Sequence, residues 1–156
     1  MGRGNVVGIN MLRKQFSGQT KLEFMSSANK IRTLIVDDQL LQREVMSRLL
    51  KNEPDFEIIG TAANGREAVD AINNLDPDLV FLDVQMPELD GFGVVQEMQP
   101  AHRPEIIFVT ANEEFAVRAF DVHALDYLLK SFSPDRFRAA LQRARDQIQQ
   151  VKAEAK

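Results

Sequence analysis

Cysteine is absent from the 156 residues, which removes disulfide frameworks, thiolate nucleophiles and Cys-ligated zinc or iron–sulfur sites. Imidazoles are scarce: His102 and His123 are the two histidines, too few for a His-rich metal site or for Ser-His-Asp catalysis. Long apolar runs are missing as well. Stretches such as Leu79–Leu82 and Ile106–Val109 reach four residues, against the roughly 20 that a membrane-spanning helix needs. An export signal would require about 7–15 uninterrupted apolar residues, and Val6-Val7-Gly8-Ile9 is broken at Asn10. A soluble, cytoplasmic chain with no membrane partner is therefore expected. With 44% hydrophobic and 27% charged residues it sits near the globular average, so wholesale disorder is excluded. What remains for chemistry is acidic oxygen.

Charge is unevenly distributed. Residues 1–30 carry Arg3, Arg13, Lys14, Lys21 and Lys30 against Glu23, a net +4, which leaves −8 for residues 31–156. An acidic body disfavours nucleic acid and suits divalent cations or basic partners. Residues 1–30 show no period of two or 3.6 and read as an extension. Met25 resembles a second start, preceded by Glu23-Phe24, a dipeptide that a common cloning junction encodes. Residues 1–24 thus read either as a tag or as a genuine basic arm for an acidic partner.

From Ile31 onward, short β-rich runs alternate with amphipathic segments. Ile31–Val36, Phe56–Ile59, Leu79–Leu82, Ile106–Val109 and Tyr127–Leu129 are near-continuous apolar runs, as parallel strands covered on both faces should be. Helical stripes lie between them: Leu41, Val45 and Leu49, then Ala68, Ile72 and Leu75, then Phe115, Ala119 and Val122. Five βα units in succession predict a doubly wound α/β fold, since each parallel crossover needs a helix. Ser133 followed by Pro134 is a helix N-cap with proline at the first helical position. The predicted domain covers residues 31–150, with 151–156 as a tail or the start of a linker.

Ligands of open parallel sheets bind beyond the carboxyl ends of the strands. Strand one ends in Asp37-Asp38, strand three in Asp83, strand four in Thr110 and strand five in Lys130. Three carboxylates so close repel one another unless a cation intervenes, and an oxygen-only site favours a divalent ion such as Mg²⁺. Asp83 beside a metal, a hydroxyl and an ammonium group is equipped to attack phosphorus and form an aspartyl phosphate. Taken singly, each residue has a plainer reading: Asp37 and Asp38 as helix caps, Asp83 as a turn residue, Lys130 as a surface charge, Thr110 as a strand end and Tyr127 as an edge aromatic. Their joint occurrence in this order favours the site.

Leu34-Ile35-Val36-Asp37-Asp38, Leu82-Asp83-Val84-Gln85-Met86-Pro87 with Asp90-Gly91, Val109-Thr110-Ala111 and Asp126-Tyr127-Leu128-Leu129-Lys130 together resemble a response-regulator receiver domain over about residues 31–150. The run Ala119–Lys130 further resembles receivers attached to LytTR-type (LytR/AlgR-like) DNA-binding domains, which would add roughly a hundred residues after Lys156. Either a truncated regulator or a stand-alone receiver fits. The resemblance implies a five-stranded, flavodoxin-like parallel sheet in the order 2-1-3-4-5 with helices on both faces. It implies that Asp83 is the phosphoacceptor, and that Asp37, Asp38, Asp83 and the backbone carbonyl of Gln85 hold Mg²⁺. Thr110 and Lys130 would bind the phosphoryl group, and Tyr127 would change rotamer as Thr110 moves. A histidine kinase or phosphotransfer protein would be the donor, with helix four, strand five and helix five as readout face. Transcription control and DNA contact would come only through an absent output domain.

A Mg²⁺-dependent phosphatase or phosphotransferase working through an aspartyl phosphate has a similar acid cluster. It is disfavoured here because Gln85, two residues after Asp83, cannot serve as a general acid or base, so the chain is not expected to be an enzyme. Phe137, Leu141, Ala144, Ile148 and Val151 recur at heptad-like spacing in the last helix, which reads either as a dimer seam or as Phe137, Leu141 and Ala144 packing on the sheet with the rest frayed. Ser131 departs from the family, whose members typically have a cis-linked proline after the lysine. A cis bond before a non-proline residue costs about 2.5–4 kcal/mol, so a trans Lys130–Ser131 peptide is expected, with a rearranged loop and Lys130 less firmly held over Asp83.

Overall fold

Residues 29–154 are described by the structure, a computed structural model; the expected tag or basic arm at residues 1–24 lies outside them. The strands are β1 Ile31–Val36, β2 Phe56–Ala62, β3 Leu79–Leu82, β4 Glu105–Thr110 and β5 Asp126–Leu129. They form one sheet in the order 2-1-3-4-5 with every pairing parallel, as expected. The helices are α1 Leu40–Leu50, α2 Gly65–Leu75, α3 Gly91–Glu97, α4 Ala116–Asp121 and α5 Pro134–Glu154. A single 3₁₀ turn, Glu113–Phe115, leads into α4.

The apolar runs are continuous because each strand serves two cores at once. Along β3, Leu79 and Phe81 face α1 and α5, where they meet Met46, Leu50, Phe137, Leu141 and Ala144. Val80 and Leu82 face the other way, onto Ala68, Ile72, Phe92 and Ala119 of α2, α3 and α4. Short polar residues start the helices. Asn64 caps α2 by accepting from the Glu67 N–H at 2.9 Å, and Asp90 caps α3 by accepting from the Gly93 N–H at 2.8 Å. The Ser133 hydroxyl accepts from the Arg136 N–H at 3.1 Å, with Pro134 opening α5, as read from the sequence.

Two stripes differ from the sequence reading. In α1 the buried pair is Met46 and Leu50, whereas Leu41 is 73% exposed and Val45 is exposed too. The inward face is rotated by one residue, about 100°, from the expected Leu41-Val45-Leu49 line. In α5, Phe137, Leu141, Ala144 and Ile148 are buried in the core against β3 and β4. Phe137, Leu141 and Ala144 pack on the sheet, as one of the two sequence readings had it, but the helix continues to Glu154 and Ile148 is buried rather than frayed, leaving Val151 as the exposed member of the stripe.

Gly91 marks where the β3–α3 loop comes closest to the sheet. A Cβ there would sit 2.5 Å from the Asp83 carbonyl oxygen, a backbone atom that cannot swing aside. Gly91→Ala is therefore expected to destabilise the fold by about 1–3 kcal/mol, read as a lowered urea midpoint with an unchanged m-value.

Candidate functional site

Strand register assembles the site. β1 and β3 are neighbours, with β2 beyond β1 and β4 beyond β3, so the connections leaving them diverge and open a crevice at their carboxyl ends. Val36 pairs with Leu82, which brings the following residues, Asp37 and Asp83, side by side. The Asp83 N–H is tied to the Val36 carbonyl at 3.0 Å. On the far side Thr110 pairs with Leu129, and the Lys130 N–H donates to the Thr110 carbonyl at 2.8 Å. Neither Asp37 nor Asp38 serves as the side-chain cap of α1, whose N-cap position is Gln39. The Asp37 carboxylate instead accepts from the Gln39 N–H at 2.9 Å.

Asp37 and Asp83 are almost fully buried and Asp38 is exposed, and carboxylate oxygens of the three lie within 4.8 Å of one another. Lys130 spans the pair from two strands away, its Nζ 3.1 Å from Asp37 Oδ2 and 3.3 Å from Asp83 Oδ2. Burial, with the Asp37 charge adding to it, pushes the Asp83 carboxyl up to about 6; Lys130 and the Gln85 N–H pull against that rise. Desolvation works to lower the Lys130 ammonium, but its bonds and attraction to Asp37 and Asp83 outweigh it and hold the group above its ordinary value. An oxygen-only trio that one ammonium neutralises incompletely has the donor chemistry of a divalent-cation site.

The Lys130–Ser131 peptide is trans, in line with expectation, since no described peptide bond is cis. The expected loosening of Lys130 is not found: its ammonium reaches both carboxylates. The Lys130 backbone is tied to the sheet by its N–H bond to the Thr110 carbonyl.

The structure brings together every residue singled out from the sequence for this edge: Asp37, Asp38, Asp83, Gln85, Thr110, Tyr127 and Lys130. It also adds Asn112, which sequence reasoning missed. Its side-chain N–H donates to Gln85 Oε1 at 2.5 Å, and its backbone carbonyl accepts from the Tyr127 hydroxyl. The available signal was its offset, because Asn112 follows Thr110 at the same interval as Gln85 follows Asp83. Burial, together with the charges of Glu113 and Glu114, raises the Tyr127 hydroxyl above its usual range and keeps it a donor; a backbone hydrogen bond from Phe115 opposes the rise.

Residues 33–142 match the family model of the response regulator receiver domain. The chain belongs to this family. It is 46% identical over 117 residues to the transcriptional regulatory protein BtsR of Salmonella typhi, covering 75% of this chain and 49% of that protein. Over 118 residues it is 48% identical to an uncharacterized response regulatory protein of Shewanella oneidensis, covering 76% of this chain and 50% of the other. The receiver thus spans about half the length of the curated relatives it matches. Among solved structures, the response regulatory domain of mrkE from Klebsiella pneumoniae superposes with a TM-score of 0.71 at 34% identity, covering 76% of this chain and 98% of that one. The receiver of AraT from Geobacillus stearothermophilus gives 0.67 at 27% identity, covering 78% and 97%. Among the described residues no helix is long and apolar enough to cross a membrane.

The raised Asp83 carboxyl makes stability depend on pH. Without a divalent cation the folded state holds this proton up to about pH 6, whereas the unfolded chain releases it near pH 4. That contribution is complete below about pH 4 and is lost as the pH rises through about 6. In chelator, Asp83→Asn should gain on the parent protein across this window, by at most about 3 kcal/mol at neutral pH. Urea titrations from pH 4 to 8 measure the difference, and a constant gap across the range would contradict the assignment.

Proposed function

We propose that this receiver is the phosphoacceptor of a two-component phosphorelay, taking phosphate from a histidine kinase or phosphotransfer protein onto Asp83. The observation that carries the reading is the Asp37–Lys130–Asp83 arrangement at the β1/β3 crevice, with the buried Thr110 hydroxyl ending the neighbouring strand. In the forward step an Asp83 carboxylate oxygen attacks phosphorus, the bond from phosphorus to the donor's imidazole nitrogen breaks with its electron pair staying on that nitrogen, and an acyl phosphate forms. The Lys130 ammonium turns from the carboxylates to the phosphoryl oxygens as their charge develops, and Thr110 offers its hydroxyl proton to one of them. Asp37, Asp38, Asp83 and the Gln85 carbonyl would hold Mg²⁺, which supplies charge neutralisation on the phosphoryl oxygens when bound.

Phosphorylation adds about 1.5–2 negative charges, which must bias a movable element if they are to signal. Tyr127, which lies on β5 opposite Phe108 with its hydroxyl on the Asn112 carbonyl, is that element in this reading. The readout face is then α4, β5 and α5. Its apolar material is not the α5 stripe but Val117 and Phe120 on α4, 74% and 81% exposed, and its polar material includes the ion pair of Arg136 with Asp126 at 2.5 Å. Phosphorylation-dependent homodimerisation through this face is the proposed consequence. The resemblance of residues 119–130 to LytTR-linked receivers, together with relatives twice as long, supports a transcription-regulating output that alone touches DNA. The receiver itself would span residues 31–150, between an extension at 1–30 and a tail or linker start at 151–156. The same reading makes it a cytoplasmic, non-enzymatic switch.

With acetyl phosphate and Mg²⁺, intact-mass measurement should reveal one labile phosphoryl adduct, absent from Asp83→Asn. An adduct that survives the substitution sinks the assignment. Sedimentation should find phosphorylated protein more self-associated than the unmodified form, and Phe120→Ser should weaken that association by at least about tenfold, about 1.4 kcal/mol, as the loss of a largely buried aromatic contact implies.

A further inference from the structure

Residues 31–156 carry a net −8, yet one groove on this acidic body is basic. It lies between α1 and the outer strand β2 and encloses about 390 Å³; α1 contributes Arg43, Ser47, Arg48 and Lys51 to it, with Glu44 as the acid among them, and β2 contributes Thr61. Helix periodicity builds it. Arg43, Ser47 and Lys51 recur at intervals of four and share one line along α1, while Glu44 and Arg48 share the next. From Arg43 to Lys51 that line is about 12 Å long. One Arg43 N–H donates to the Asp37 carbonyl at 2.7 Å, which pins the guanidinium and leaves its other donors to the groove. Arg48 and Lys51 are exposed, and among the described residues neither is in an ion pair, whereas Arg66, Arg136, Arg138 and Arg145 are each paired with a carboxylate.

We infer that this groove binds a small polyanion bearing two or more linked phosphate groups, as inorganic polyphosphate and nucleotides do. Three cations and two hydroxyls offer charge-assisted hydrogen bonds to a chain of anionic groups, and a cleft dominated by one sign of charge concentrates the opposite sign from solution. Its volume is that of a small-molecule site. The row of cations is longer than one phosphate group needs, since a single arginine fork already meets such a group with two parallel bonds. An extended acidic peptide fits less well. Joining the free edge of β2 as a further strand calls for regular register, and the β1–β2 pairing slips between Ile58 and Gly60, a local kink of the kind that blunts sheet edges. The inference does not rest on phosphorylation of Asp83.

The test is calorimetric titration of the full chain with inorganic tripolyphosphate, and in a second arm with ATP, in chelator at low salt. Saturable binding is expected, unchanged in Asp83→Asn, because without a divalent cation the acidic crevice repels phosphate. Arg48→Gln should weaken it at least about threefold, and Arg48→Gln with Lys51→Gln at least about tenfold, as the loss of one and of two charge-assisted contacts implies. Arg143→Gln makes the same charge change at an exposed position of α5 outside the groove and should leave the affinity within about 1.5-fold. Tighter binding of ATP than of tripolyphosphate assigns the groove to nucleotides, and the reverse order assigns it to inorganic polyphosphate. Arg48 and Lys51 also suit the carboxyl end of α1, so urea midpoints accompany each titration. Variants that lose stability while tripolyphosphate binding is unchanged would make them helix-end charges and overturn the inference. So would the absence of saturable binding, binding that survives loss of both groove cations because residues 1–30 carry it, or equal weakening by Arg143→Gln.

Discussion

Asp37 and Asp83 are buried side by side, and the Lys130 ammonium is what makes that arrangement tolerable. Two carboxylates with little water to screen them repel strongly, and removing their countercharge would leave one of them protonated or the pair forced apart. The distances of 3.1 and 3.3 Å give the ammonium to both partners at once. Burial, with the repulsion from Asp37 adding to it, outweighs that compensation and leaves the Asp83 carboxyl pushed up to about 6. Parallel register creates the crowding, since strands that end level must end with their terminal residues together.

That geometry makes the residues at strand ends readable without coordinates. Five apolar runs fixed which residues terminate strands, and the parallel sheet rule did the rest, so Asp37, Asp83, Thr110 and Lys130 were all recognisable in the sequence. Helix phase was less legible. Leu40, Leu41, Val45, Leu49 and Leu50 offer α1 two overlapping apolar lines, and periodicity alone does not choose between them; packing chose Met46 and Leu50. In α5 the reverse held: one line, Phe137 to Ile148, had two uses, and the sheet claimed it. Side-chain bonds between loops left no periodic trace, which is why Asn112 passed unnoticed. Of what was expected at Ser131, the trans peptide is found, yet Lys130 reaches both carboxylates, its N–H tied to the Thr110 carbonyl.

Charge and hydrophobicity are divided between the two ends of the mechanism. The crevice holds acids and one ammonium, whereas the exposed apolar residues of α4, Val117 and Phe120, stand apart on the helix that follows the Thr110 loop. Tyr127 lies between them, partly buried and bonded to the Asn112 carbonyl.

β3 has a sheet neighbour on each side and a core on each face; Leu79, Val80, Phe81 and Leu82 have essentially no exposed surface. Its amides can exchange with solvent hydrogen only when the domain opens as a whole, while the loops bearing Gln85 and Asn112 can open locally. Deeply protected amides and a buried carboxyl of raised proton affinity are then adjacent residues, Leu82 and Asp83. The floor of the pocket is as rigid as the entire fold, and its rim is only as rigid as a few bonds.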